Sequence, residues 1–214
     1  MENNKLIAQD LLKINAVVLS PDDPFTWASG IKSPVYCDNR LILAYPDVRV
    51  DVIDAFVALI KENYPAAEVI AGTATAGIPH AALIAEAMGL PMAYIRSSAK
   101  SHGRKKQIEG IINPRQKVVV IDDLISTGGS VLTAVHAAEE AGADVLGVAA
   151  IFTYQLPQAS SNFKEEKVSL ATLTDFETLI HLAEEQGKIS GAQLEQLKLW
   201  YADPTSEDWC AQKQ

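Results

Sequence analysis

Two adjacent carboxylates, Asp122 and Asp123, directly follow Lys117–Ile121, the strongest predicted strand of the chain. At the end of a strand, such a pair can accept hydrogen bonds from two vicinal hydroxyl groups or hold a hydrated Mg²⁺ ion. A segment rich in hydroxyl groups and glycine follows, and it consists of Ser126, Thr127, Gly128, Gly129 and Ser130. At the start of a helix, the backbone N–H groups of such a segment bind phosphate.

The order of these two features is more informative than either feature alone. An Asp-Asp pair is also a common polar strand end, and Ser-Thr-Gly-Gly-Ser is also a common helix cap. In an open parallel sheet, however, ligands bind beyond the carboxyl ends of the strands. A carboxylate pair followed by a phosphate-binding loop therefore predicts a sugar phosphate between them. The loop is not a Walker loop, because the chain contains no G-x-x-x-x-G-K-[ST] sequence.

One short stretch of the chain is strongly basic. It holds five basic residues, one histidine and no acidic residue, namely Arg96, Lys100, His102, Arg104, Lys105 and Lys106. The whole chain has a net charge of −9, and 13 of its 27 acidic residues follow residue 137. A local basic stretch in an acidic protein favours a small anionic ligand, because nucleic acids and anionic membranes require an extended basic surface. A solvated charged loop is the alternative interpretation.

The composition predicts one globular domain, either alone or with a small subdomain. The chain has 214 residues, of which 48% are hydrophobic, and its longest apolar runs are far short of the roughly 20 residues that a membrane span requires. Cys37 and Cys210 are too few for a disulfide framework, and the polar N-terminal segment does not resemble a signal peptide. We therefore expect a cytoplasmic protein that binds neither nucleic acid nor membrane.

An alternation of strands and helices, which begins at residue 68, must position these groups. The predicted strands of this part are Glu68–Gly72, Pro91–Ile95, Lys117–Ile121, Asp144–Phe152 and Val168–Thr172. The predicted helices of the whole chain are residues 6–18, Tyr45–Tyr64, Gly77–Met88, Ser130–Ala141, Asp175–Gln186 capped by Thr174, and Gly191–Tyr201 capped by Ser190. Leu124 and Ile125 are expected to form a turn. This alternation predicts an α/β fold with a mostly parallel sheet.

Four segments of the sequence resemble a known family. VVVIDDLISTGGS (Val118–Ser130) resembles the phosphoribosyl pyrophosphate (PRPP) signature of type I phosphoribosyltransferases. FTWASGIKSPVYCDNR (Phe25–Arg40), IAGTATAGIPHA (Ile70–Ala81) and IRSSAKSHGRKKQIEG (Ile95–Gly110) resemble motifs of orotate phosphoribosyltransferase, in the Gram-positive bacterial form. The resemblance covers nearly the whole chain in order. It implies the type I phosphoribosyltransferase fold, with a mostly parallel central sheet flanked by helices and a small N-terminal hood.

The resemblance also implies a domain organisation and a reaction. The chain would be a single domain, with hood elements in residues 1–45, an α/β core in 46–172 whose lid is 96–110, and C-terminal helices in 173–214. A pentosyltransferase of this family transfers ribose 5-phosphate from PRPP to orotate and releases pyrophosphate. It uses Mg²⁺, and it works as a homodimer whose lid reaches the neighbouring site. Two alternatives stay open: a transferase for another base, such as a purine, and a PRPP-sensing regulator that binds nucleic acid.

The motif positions imply roles for individual residues. The residues implied for PRPP binding are Arg96, Lys100, His102, Asp122, Asp123, Leu124, Ile125, Ser126, Thr127, Gly128, Gly129 and Ser130. Those implied for catalysis are Lys100, His102, Arg96 and Asp123. The backbone amides of Thr73, Ala74 and Thr75 would bind pyrophosphate. Mg²⁺ would be held mainly by PRPP, with Asp122 or Asp123 reaching it through water.

The sequence differs most from the family pattern at the positions that bind orotate. Many relatives have a lysine where this chain has Ala28, and other subgroups have a lysine where it has Ala76. An arginine that contacts the orotate carboxylate in some relatives is replaced near Tyr154. Ser126, Lys32 and Arg40 are therefore the predicted orotate-binding residues. The three remaining histidines, His80, His136 and His181, are predicted to be packing or surface residues.

Overall fold

The computed structural model describes residues 2–26, 30, 32–97 and 107–210 of the chain. The helices of this part are α1 Glu2–Lys13, α2 Pro46–Asn63, α3 Gly77–Met88, α4 Gly129–Glu140, α5 Pro157–Glu165, α6 Phe176–Glu185 and α7 Gly191–Ala202, with two 3₁₀ helices at Asn39–Ala44 and Asp208–Cys210. The strands are β1 Val17–Leu19, β2 Phe25–Thr26, β3 Lys32–Ser33, β4 Val35–Cys37, β5 Val69–Thr73, β6 Met92–Ile95, β7 Ile108–Glu109, β8 Lys117–Ile125, β9 Asp144–Thr153 and β10 Leu170–Asp175.

The chain divides into two compact units. The terminal unit comprises Met1–Pro46 and Thr174–Gln214, and the core unit comprises Asp47–Leu173. In the terminal unit, α1 contacts α6, and two small antiparallel pairs form between β1 and β4 and between β2 and β3. Its interior includes Trp200 and Trp209, which are almost completely buried.

The central sheet has six strands, in the order β10-β9-β8-β5-β6-β7. Strand β5 pairs in parallel with β6 and β8, and β8 pairs in parallel with β9, whereas β7 is antiparallel to β6. The residues Val118–Ile121 of β8 are completely buried, as the β-branched run predicts for a strand in the middle of a parallel sheet. The predicted α/β fold with a mostly parallel sheet is therefore confirmed.

Several predicted element boundaries are wrong. Strand β8 does not end at Ile121 but runs to Ile125, so the turn predicted at Leu124 and Ile125 does not form. Asp122 pairs with Ala150, and Ile125, which is buried, pairs with Thr153. The polar aspartates interrupt the apolar pattern, but backbone pairing with β9 does not depend on their side chains.

Helix ends show a similar difference. The N-cap of α6 is Asp175 rather than Thr174, because the Asp175 carboxylate accepts the Thr178 N–H at 2.8 Å. The predicted cap Ser190 is confirmed, and it forms a capping box with Gln193 at the start of α7. Helix α5 was not predicted, since its polar sequence buries only Ala159 and Phe163.

The histidine of α3 is completely buried. Among the described residues, neither ring nitrogen of His80 has a hydrogen-bond partner. Burial lowers the pKa of His80 from its usual value of 6.5 to about 4, because desolvation disfavours the charged ring. His80 is therefore neutral in the folded protein at pH 7, which agrees with its predicted role as a packing residue.

This burial makes stability depend on pH. The unfolded chain takes up a proton on His80 below pH 6.5 while the folded chain resists it, so stability is lost as the pH falls toward 4. Between pH 7.5 and pH 5 we expect His80 alone to remove about 2 kcal/mol from the free energy of unfolding. Urea unfolding of the wild type and His80→Leu at both pH values measures this difference. An equal loss in both proteins would show that His80 does not contribute.

Candidate active site

The paired aspartates lie within β8, just beyond the residues of that strand that pair with β5. Asp122 Oδ1 accepts the hydroxyl of Thr73 at 2.7 Å and the N–H of Asp123 at 2.9 Å. Desolvation raises the pKa of Asp122 to about 7, with a further rise from the negative charge of Asp123. Carboxylate oxygens can accept hydrogen bonds from the hydroxyl groups of a ligand, and such a role for Asp122 and Asp123 stays a prediction from the sequence.

A loop with a left-handed glycine follows the strand. Gly128 has φ +80° and is the N-cap of α4, so the backbone N–H groups that begin the helix lie next to Ser126 and Thr127. A Cβ on Gly128 would lie 2.6 Å from Cε2 of Phe163. The chain therefore requires glycine here for two reasons, the backbone conformation and the close approach of α5. A helix N-terminus of this kind offers backbone N–H groups to which an anion can bind.

Helix α5 supports this loop from outside. The side-chain amide of Asn162 donates to the carbonyl oxygen of Thr127 at 2.9 Å, and Gln158 donates to Asn162 Oδ1 at 2.7 Å. Sequence reasoning missed Gln158, Asn162 and Phe163 as supports of the loop. The one available sign was Pro157, which favours the first turn of a helix.

The segment after β5 borders a small cavity. Thr73, Ala74, Arg96 and Ser130 are among the residues that line a space of about 150 Å³. The structure thus brings together residues predicted for the pyrophosphate loop, the lid and the phosphate loop. The Ala74 N–H already donates to the carbonyl oxygen of Ile95 at 2.8 Å, so this amide must leave that bond before it can bind an anion. The Ala74–Thr75 peptide bond is cis.

Strands β6 and β7 form an antiparallel ribbon at the edge of the sheet. At its end, the Arg96 N–H donates to the Gln107 carbonyl oxygen at 2.9 Å, and the Arg96 guanidinium lies 3.7 Å from the Glu109 carboxylate. The predicted catalytic residues Lys100 and His102 lie outside the described residues, as does the rest of 98–106.

The two other candidates for orotate binding lie in the terminal unit. Arg40 makes two short hydrogen bonds to the carboxylate of Asp38, at 2.6 and 2.8 Å, and this contact lowers the pKa of Asp38. Lys32 donates to the hydroxyl of Thr26 at 3.1 Å. In the core unit, Tyr154 is almost completely buried. Ala28 lies outside the described residues.

Comparison with known proteins identifies the family. Residues 42–177 match the family described as the phosphoribosyl transferase domain. An orotate phosphoribosyltransferase of Bacillus pumilus is 58% identical over 203 residues, which cover 95% of this chain and 96% of that protein. One of Lactococcus lactis subsp. cremoris is 61% identical over 198 residues, which cover 92% of this chain and 95% of that protein. This chain belongs to the orotate phosphoribosyltransferase family.

The fold agrees with that of a solved orotate phosphoribosyltransferase. The crystal structure of the protein from Aeropyrum pernix is 27% identical to this chain and superposes with a TM-score of 0.74. The match covers 86% of this chain and 99% of the Aeropyrum pernix chain. The predicted family and the type I phosphoribosyltransferase fold are therefore confirmed.

Two features of the described residues bear on possible partners of this phosphoribosyltransferase chain. None of the helices in that part combines the length and the apolar character that a membrane crossing needs. The same part holds no cluster of three or more histidine, cysteine, aspartate or glutamate side chains arranged to bind a metal ion. A metal ion at Asp122 and Asp123 would therefore require further ligands from a substrate or from water.

The hydrogen bond from Asn162 on α5 to the Thr127 carbonyl predicts a moderate effect of Asn162 on PRPP binding. In Asn162→Ala, the Thr127 carbonyl loses its side-chain donor, and we expect the KM for PRPP to rise about fivefold, the effect of one lost hydrogen bond. Steady-state kinetics with PRPP varied would measure this rise. Asn63→Ala is the matched control, since its amide also donates to a carbonyl at 2.9 Å but on α2. A KM for PRPP that is the same in both variants would contradict the support role.

Proposed function

We propose that this chain transfers ribose 5-phosphate from PRPP to the ring nitrogen of orotate, which yields orotidine 5′-monophosphate and pyrophosphate. The observation that supports this most strongly is the identity of about three residues in five with orotate phosphoribosyltransferases over more than nine-tenths of the chain. The reaction is one step in the formation of UMP, and the enzyme is a pentosyltransferase.

PRPP would bind along the edge formed by β8 and α4. Asp122 and Asp123 accept hydrogen bonds from the two ribose hydroxyls, which fixes the sugar ring. The residues from Ser126 to Ser130 hold the 5′-phosphate with backbone N–H groups and hydroxyls, at the positive end of the α4 dipole. Leu124 and Ile125 belong to β8 and set the distance between these two groups.

The pyrophosphate would leave on the side of Thr73, Thr75 and Arg96. As the glycosidic bond lengthens, the ribose gains oxocarbenium character and the leaving group gains negative charge. Lys100 and His102 meet this charge when the lid closes, so they stabilise the transition state more than the ground state. Closure also excludes water from the reactive cation.

Mg²⁺ is the cofactor we propose, and the residues present fit a metal held mainly by the substrate. Asp122 Oδ1 already accepts two hydrogen bonds, so this oxygen is less available for direct coordination. Either aspartate would instead contact the hydrated ion through water, while the phosphates of PRPP supply its other ligands. When bound, the ion neutralises charge on the pyrophosphate group.

For orotate we propose Ser126 together with Lys32 and Arg40, whose positive charges suit a carboxylate. Arg40 would have to share its guanidinium with Asp38 or release it. We also propose that two copies of the chain form a homodimer in the cytoplasm, and that the lid of each copy reaches the site of the other.

Base selectivity tests this function. The chain is incubated with Mg²⁺, PRPP and orotate, adenine, guanine, xanthine or uracil in parallel, and base consumption is followed by ultraviolet absorbance. We expect rapid turnover of orotate alone. Turnover of a purine without consumption of orotate would replace this function with that of a purine phosphoribosyltransferase.

A further inference from the structure

The side chain of Thr73 connects two strands at the active-site edge of the sheet. Thr73 is the last residue of β5 and is buried. Gly72 pairs with Ile121 of β8, so Thr73 lies beside Asp122. Its Oγ1 lies 2.7 Å from Asp122 Oδ1 and 3.2 Å from the carbonyl oxygen of Ile121. A hydroxyl has one proton to donate, and the shorter contact assigns it to the carboxylate.

The Asp122 carboxylate is held from two directions. In addition to the Thr73 hydroxyl, Oδ1 accepts the backbone N–H of Asp123 at 2.9 Å. Two donors on the same oxygen fix the orientation of the carboxylate about its last rotatable bond. The orientation of the Asp122 carboxylate, which we propose binds a ribose hydroxyl, therefore depends on the side chain of Thr73, 49 residues earlier in the chain.

The start of α3 leaves room for this hydrogen bond. A Cβ on Gly77 would lie 2.6 Å from the Thr73 hydroxyl oxygen and 2.5 Å from the carbonyl oxygen of Ile121. Any residue other than glycine at position 77 would therefore displace the hydroxyl or the helix. The first residue of α3 and the last residue of β5 thus fit together around one polar contact.

We propose that Thr73 is a positioning residue whose hydroxyl orients Asp122 to receive a ribose hydroxyl of PRPP. This inference rests on the proposed function and adds to it, since the motif assigns only the backbone amide of Thr73 to pyrophosphate. The segment that binds pyrophosphate and the carboxylate that binds ribose then move as one unit. The Thr73 hydroxyl touches no reacting atom and acts through Asp122.

The first experiment compares variants that keep or remove the hydroxyl. PRPP binding in the presence of Mg²⁺ is measured by calorimetry, and kcat and KM are measured for both substrates. We expect Thr73→Val to weaken PRPP binding about fivefold, as for one lost hydrogen bond, without changing the KM for orotate. Thr73→Ser keeps the hydroxyl and should stay within about twofold of the wild type. Thr73→Ala removes it by a second route, in case the valine variant does not fold.

A double-mutant cycle tests whether Thr73 acts through Asp122. In the Asp122→Ala background, Thr73→Val should cause no further loss of PRPP affinity, because the partner of the hydroxyl is already absent. An equal additional loss in that background would overturn the inference. Wild-type PRPP affinity in a folded Thr73→Val or Thr73→Ala variant would also overturn the inference. A loss of PRPP affinity in Thr73→Ser as large as that in Thr73→Val would overturn it as well. Binding is measured without orotate, so a wild type that binds PRPP but does not consume orotate would refute the proposed function alone.

Discussion

Replacement of Lys100 with alanine is expected to lower kcat about 100-fold, because one charged donor to the leaving group is lost in the transition state. The thermal unfolding midpoint should stay within about 1 °C of the wild type, because the sequence assigns Lys100 to the lid and not to the hydrophobic core. Stopped or continuous assays of orotate consumption at saturating PRPP measure kcat, and scanning calorimetry measures the unfolding midpoint.

The control for this variant is a lysine remote from the basic stretch. Lys61→Ala removes the same charge from the last turn of α2, and its kcat should equal that of the wild type. A kcat for Lys100→Ala within about twofold of the wild type would show that no group at this position stabilises the leaving pyrophosphate. The lid assignment would then be wrong.

The same variant tests whether the lid acts across a dimer. Lys100→Ala is mixed with Gly128→Ala, which keeps the lid but damages the phosphate loop. If each lid serves the neighbouring site, half of the dimers are mixed and each has one complete site, so an equimolar mixture should regain about a quarter of wild-type activity. If the mixture is no more active than its components after subunit exchange, the lid does not reach the neighbouring site.

Replacement of Gly128 with alanine is expected to weaken PRPP binding about 100-fold. A non-glycine residue at φ +80° is strained, and the new Cβ would lie 2.6 Å from the ring of Phe163. The loop must therefore shift, and several N–H groups then miss the 5′-phosphate at once, which accounts for an effect larger than that of one hydrogen bond. Calorimetric titration with PRPP measures the affinity directly.

Gly89→Ala is the control for the general effect of replacing a glycine that has a positive φ. Gly89 also has a positive φ, +65°, at the end of α3, but a Cβ there meets nothing within 4 Å. This control should lose some stability and keep its PRPP affinity. If Gly128→Ala also kept wild-type affinity, the Ser126–Ser130 loop would not be the phosphate site.

The parallel sheet could be predicted because its strands are short runs of valine, isoleucine and alanine between glycine-terminated helices. Gly89, for example, ends α3 in the left-handed conformation that such a glycine predicts. The end of β8 could not be predicted in this way. Asp122 and Asp123 break the apolar pattern, yet their backbones continue the hydrogen-bonded pairing with β9.

The candidate site was predictable as a set of motifs but not as a set of contacts. The order of the aspartates and the glycine-rich loop was visible, since both belong to one continuous segment. The contacts of Thr73 with Asp122, and of Asn162 with Thr127, join residues 49 and 35 positions apart. Such contacts depend on which strands are neighbours and on helix α5, and neither followed from local periodicity.

The stoichiometry of the reaction tests the central claim most directly. The chain is incubated with Mg²⁺, PRPP and orotate, and orotate consumption and pyrophosphate release are measured in the same samples. We expect one pyrophosphate for each orotate consumed, with orotidine 5′-monophosphate as the product and no release when orotate is omitted. Pyrophosphate release that is independent of orotate, or the absence of any orotate consumption, would contradict the assignment.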